Sequence, residues 1–145
     1  MPVTVKRIAL WRGEVENKPG TLAKALEPLA KVGADLQVVM GYRYPGNESK
    51  AAIEVFPVTA KKSLAAAAAA GLTALSTPIL RVEGENKPGL GHAIAQAIAD
   101  AGINLGFLVA QVVGKRYSAI IGFETEADTE KASGLIKKAT AGKKK

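Results

Sequence analysis

Apolar residues along this chain fall into two spacings. Leu22, Leu26, Leu29 and Val32 stand three or four residues apart, as do Leu90, Ile94, Ile98 and Ala101, which is the period of one face of an α-helix. Around them lie stretches dense in Val, Ile, Leu and aromatic residues: Val3 to Arg12, Leu36 to Tyr44, Ala51 to Phe56, Ile79 to Val82, Leu105 to Gly114 and Tyr117 to Phe123. Their composition predicts strands. Turn residues at Pro45-Gly46-Asn47 and Gly114-Lys115 join two pairs of these strands into hairpins. Pro19 and Pro88 preset φ near the start of each helix, and Gly33 and Gly102 offer a left-handed cap at its end. Further helices are predicted over Thr59 to Ala70 and over Asp128 to Ala139, the latter with Asp128 as N-cap.

These elements repeat. Val15 to Leu36 and Gly84 to Leu105 share Glu-Asn-Lys-Pro-Gly intact, and Ala30, Gly33 and Leu36 return as Ala99, Gly102 and Leu105. The interval is longer than that of solenoid repeats, so the chain reads as a duplicated small domain. Each copy is predicted to run βαββα, with a fourth strand in Leu72 to Ser76 for the first copy and none for the second. A helical crossover between neighbouring strands places both helices on one face of the sheet. The expected class is therefore α+β, two tandem ferredoxin-like βαββα(β) units with antiparallel sheets and helices on one face. Residues 1–72 form the first unit, 73–142 the second and 143–145 a lysine tail. Units this small bury little apolar surface alone, so the halves are expected to pair and the chain to form a homodimer.

With 145 residues, 48% of them hydrophobic and 23% charged, the chain can build a packed core. The absence of cysteine excludes disulfides, thiolate nucleophiles and Cys-ligated metal centres. A single histidine, His92, excludes multi-histidine zinc sites and leaves no acid–base constellation. Gly89-Leu90-Gly91 begins like a dinucleotide fingerprint, but Ile94 stands at the third glycine position. We therefore expect no catalysis, cofactor or metal. No membrane span and no apolar leader is visible, and the expected location is cytoplasmic. Five of the charges behind the net +7 are Lys137, Lys138 and Lys143 to Lys145, a basic end rather than a groove with stacking aromatics, which argues against nucleic acid as partner.

The repeated Asn-Lys-Pro-Gly before a helix, followed by Gly-Ala-Asp-Leu and Gly-Ile-Asn-Leu before a strand, resembles the ACT domain family of amino-acid-sensing regulatory modules. The resemblance covers nearly the whole chain, which looks like a free-standing tandem ACT protein. Copy two departs from the pattern in having Gly91 where Leu22 stands. The resemblance implies a regulatory, non-enzymatic module that binds a small ligand, most often an amino acid, at interfaces between paired units, with a regulated enzyme as partner.

An amino acid needs N–H donors for its carboxylate and oxygen acceptors for its ammonium. Backbone N–H groups at Gly20 and Thr21, and at Gly89 and Leu90, stand at helix starts, where the dipole favours an anion. Asn17 and Asn86 carry both donor and acceptor, and the resemblance implies ligand contact for them. The family's second polar position falls on Asn104 in copy two and Asp35 in copy one, where a carboxylate suits an ammonium. Each also has a plain structural reading: Asn17 and Asn86 as turn formers, Asp35 and Asn104 as hydrogen-bonded strand entrances, the glycines as backbone hinges. The alternatives are a docking scaffold without small ligand and, third, a basic nucleic-acid-binding module.

Overall fold

A computed structural model describes residues 3–76 and 79–141, so the tail at 143–145 and Gly142 lie outside the described residues. The chain divides into two units. One runs from Ala9 to Ser76, and the other joins residues 3–8 to residues 79–141. The elements in order are β1 (Val3–Ile8), β2 (Trp11–Glu16), α1 (Thr21–Lys31), β3 (Val38–Tyr44), β4 (Asn47–Phe56), α2 (Lys61–Ala69), β5 (Thr73–Ala74), β6 (Ile79–Glu85), α3 (Leu90–Asp100), β7 (Leu105–Val113), β8 (Arg116–Phe123) and α4 (Glu126–Thr140).

In the Ala9–Ser76 unit the sheet order is β3-β4-β2-β5, all antiparallel, with the elements following as βαββαβ. Ile53 and Val55 of β4 alternate toward the helices and close a core with Ala25 and Leu29 of α1, Ala66 and Ala67 of α2, Val58 and Leu72. The predicted stripe of α1 is only half buried: Leu29 is sealed, but Leu22 and Val32 are 41% and 38% exposed. Pro28 sits inside this helix, where it can donate no backbone hydrogen bond.

In the second unit the order is β1-β6-β8-β7. Leu90, Ile94 and Ile98 of α3 pack with Ala132 and Ile136 of α4 against Leu80, Val82, Tyr117, Ala119, Ile121 and Phe123. Both units thus carry the expected α+β ferredoxin-like pattern, with antiparallel four-stranded sheets and their helices on one face.

Four expectations need correction. Val3 to Arg12 is not one strand: it breaks at Ala9-Leu10, so only Trp11–Glu16 leads into the first Asn-Lys-Pro-Gly turn. The preceding strand pairs with β6, with Val5 opposite Val82, and fills the fourth strand position of the second repeat, which therefore is not missing. The same pairing moves Val3–Ile8 out of the first compact unit, against a boundary drawn at 1–72. The physical reason is that β6 exposes a ladder edge that α4, the last helix, supplies no strand to cover, while Val3 and Val5 bring apolar side chains to the adjoining core. Finally, the N-cap of α4 is Thr125, whose hydroxyl accepts from the Asp128 N–H at 3.0 Å, and Asp128 lies within the first turn, where its charge suits the dipole.

Candidate functional site

The repeated Lys-Pro-Gly is a reverse turn. Gly20 has φ 90° and ψ −13°, Gly89 φ 87° and ψ −1°, the values of the third residue of a type II turn whose second residue is proline. The Leu90 N–H closes the turn on the Lys87 carbonyl at 3.1 Å, and the Thr21 N–H reaches the Lys18 carbonyl at 3.4 Å. These two donors were expected to face an anion; the turn engages both. Thr21 Oγ1 also donates to the Lys18 carbonyl, at 3.0 Å.

Both asparagines latch their turn to the hairpin beside it. The Asn17 N–H donates to the Ser49 carbonyl at 2.9 Å and the Asn86 N–H to the Lys115 carbonyl at 2.7 Å. The Asn17 side-chain amide donates to the Glu48 carbonyl at 2.7 Å, a bond that does not use its side-chain oxygen. Lys18 pairs with Glu16 at 3.1 Å across an exposed surface, and this hydrogen bond, followed by the lysine charge, holds the Glu16 carboxyl below its ordinary pKa.

A cleft of about 430 Å³ opens beside the first of these turns. Asn17, Lys18, Gly20 and Thr21 form one wall, Leu22 of α1 another, and Gly41, Arg43, Ala51 and Ile53 the floor. The structure therefore brings Asn17, Gly20 and Thr21 together. A second hollow, about 500 Å³, lies along α1 between Lys24, Glu27 and Pro28 and the end of α2 at Ala69 and Ala70. Asp35 lines neither. It borders a third hollow with Gly33, Pro57 and Lys61, at the far end of α1, and eleven helical residues put about 16 Å between the two ends. Within a single unit Asp35 and Asn17 do not meet, and Asn104 is separated from Asn86 by α3 in the same way. Gly89 lies exposed at its turn, whereas Leu90 is buried in the core of its unit.

Lys18, Arg43 and Ala51 were not among the residues expected to matter. Arg43 reaches the cleft because β3 pairs with β4 in a register that sets it opposite Ala51, a long-range fact that strand alternation alone does not supply. The opposite face of the same sheet holds a polar cluster. Tyr42 donates to Glu54 Oε2 at 2.5 Å, Arg12 donates to the Tyr44 hydroxyl at 2.8 Å and lies 5.2 Å from its ring centre, and the two tyrosine rings meet edge to face. Desolvation first, then the Glu54 hydrogen bond and charge, push the Tyr42 phenol up to about 12. Glu54 itself is buried. No cluster of metal-ligating side chains is present among the described residues, and no helix there is long and apolar enough to cross a membrane.

The fold defines a class: α+β, with two ferredoxin-like units in tandem. Solved structures of that class are similar to this chain over nearly its whole length. A protein of Bacteroides thetaiotaomicron superposes with a TM-score of 0.73 at 16% identity, over 92% of this chain and 89% of that one. The regulatory subunit of aspartate kinase from Thermus thermophilus, in its ligand-free form, gives 0.62 at 21% identity over 97% of each chain. The corresponding Thermus flavus subunit gives 0.59 at 22%, over 96% of this chain and 97% of that one. No protein-family model and no curated protein matches the sequence.

Proposed function

We propose that this chain is a non-enzymatic regulatory protein of the ACT type that binds an amino acid beside the Asn-Lys-Pro-Gly turn and controls a separate catalytic partner. The observation that carries the reading is the cleft, in which Asn17, Gly20 and Thr21 gather at the start of α1 with Lys18 and Arg43 as cations. A carboxylate suits that wall through charge and through the helix dipole, and the Asn17 side-chain oxygen suits an ammonium. The likeness to regulatory subunits of aspartate kinase supports a role as the regulatory half of such a pair.

Two copies of the chain complete the assembly. Asp35 and Asn104 stand too far from the asparagine turns to touch the same ligand within their own unit, so any ligand they share with Asn17 or Asn86 lies between units rather than within one. β7 is the edge suited to pairing: Leu105–Val113 contains no charge, and Val109, Val112 and Val113 are exposed, the last at 66%. The other edges are blunted in the usual ways, β1 by Lys6 and Arg7, β3 by Arg43, β5 by its length of two residues. Ligand then acts by linkage, shifting assembly or partner affinity only as far as it prefers one state.

A thermal-shift screen of the full chain against the proteinogenic amino acids tests the reading. Saturating ligand at 100 times Kd stabilises by about 2.7 kcal/mol, and Asn17→Ala combined with Asn86→Ala should abolish the response. A flat screen, together with capture of a specific protein partner, would instead favour the docking scaffold.

A further inference from the structure

The two repeats share the turn that opens their first helix but not the surface beneath it. Asn17 and Asn86 latch to Ser49 and Lys115, so Ala51 and Tyr117, each two residues beyond its latch, are equivalent positions. The strand registers agree: Ala51 stands between Val15 and Arg43, and Tyr117 between Gly84 and Val112. Both side chains lie on the helix-facing side, in alternation with Ile53 in one sheet and Ala119 in the other. Copy two thus replaces Val15, Leu22, Arg43 and Ala51 by Gly84, Gly91, Val112 and Tyr117.

Those exchanges are coupled in space. Tyr117 is 5% exposed and belongs to the core of its unit, and a Cβ added at Gly91 would lie 3.7 Å from its hydroxyl. That is an ordinary contact, so alanine would fit there, but a side chain as long as the Leu22 of copy one would meet the phenol under the first turn of α3. Its hydroxyl is buried there with no hydrogen-bond partner among the described residues. In copy one the small Ala51 leaves the floor of the cleft open, and Arg43 adds a cation that Val112 cannot supply.

We infer that the repeats are inequivalent as sites: an amino acid occupies the cleft of the Ala9–Ser76 unit alone, with its carboxylate toward Arg43 and the start of α1, while the Tyr117 phenol fills the matching volume of the other repeat. This rests on the amino-acid-binding role proposed above. The stoichiometry is one ligand per chain.

Isothermal titration of the full chain with each of the twenty proteinogenic amino acids reads the outcome. The expected result is one equivalent per chain for the amino acid that binds, lost in Ala51→Tyr, weakened about tenfold in Arg43→Ala and unchanged in Tyr117→Phe, which keeps the volume and removes only the hydroxyl. Arg43 is exposed, so Arg43→Ala reports on the cleft even where Ala51→Tyr fails to fold. Two equivalents per chain in the unaltered protein, or binding that survives both Ala51→Tyr and Arg43→Ala, overturns the inference and leaves the regulatory role standing. No binding by any of the twenty overturns both.

Discussion

Val5 stands directly opposite Val82 in an antiparallel ladder that closes the second repeat's sheet with a strand from the start of the chain. Its side chain packs against the core that α3 and α4 cover, although Val5 precedes the whole first repeat in sequence. Val5→Asp should therefore destabilise the second repeat, by about 2 to 3 kcal/mol, because it places a carboxylate against apolar surface. Amide exchange by NMR checks this: protection should fall in β6 and β8 while β3 and β4 keep theirs.

The Pro-Gly turns set a second expectation. Gly20 and Gly89 both have φ near 90°, and a Cβ added to either would meet nothing within 4 Å. Alanine there costs backbone strain alone, about 1 kcal/mol at each position, with no clash to relieve. Urea denaturation of Gly20→Ala and Gly89→Ala should show lowered midpoints at unchanged m-value, and asparagine should be tolerated better than alanine.

Thr125 caps α4 with one hydroxyl that accepts from Asp128, while the Thr129 hydroxyl donates to the Thr125 carbonyl at 2.9 Å. Thr125→Ala should cost about 1 kcal/mol and Thr125→Ser or Thr125→Asp almost nothing, measured by the same denaturation. Asp128→Asn should cost less than Thr125→Ala, since it weakens only a charge–dipole contact.

Alkaline pH should weaken the fold through Tyr42. Its folded pKa is raised to about 12 from the ordinary 10, so the folded state keeps a proton that the unfolded chain gives up first. The contribution is fully present below pH 10 and is lost as pH rises from 10 toward 12. Denaturation midpoints across that interval should fall less steeply in Tyr42→Phe than in the unaltered protein. Tyr44 and Tyr117 are shifted upward as well, chiefly by burial, so tyrosinate absorbance should rise at higher pH in the folded protein than in urea.

Helix and strand positions were legible because they depend on neighbours in sequence. The stripe of Leu90, Ile94 and Ile98 is buried as its spacing implies, the duplicated Asn-Lys-Pro-Gly opens a helix both times, and Gly33 and Gly102 take positive φ just beyond the helix ends. The candidate site was legible only in part: Asn17, Gly20 and Thr21 follow from a local turn, but Arg43 and Ala51 join them through strand register.

What local spacing cannot carry is the choice of partner for an edge. Val3 to Arg12 has strand composition throughout, and nothing adjacent to it says that the segment breaks at Ala9-Leu10 and sends Val3–Ile8 to β6, about seventy residues away. Pairing between distant strands is settled by which unfilled ladder and which apolar face remain once each repeat has collapsed. The inequivalence of the repeats is decided at the same level. Gly91 and Tyr117 are unremarkable apart in sequence, and they acquire meaning only where α3 lies over β8 and the phenol fills the space that Ala51 leaves open in the other copy.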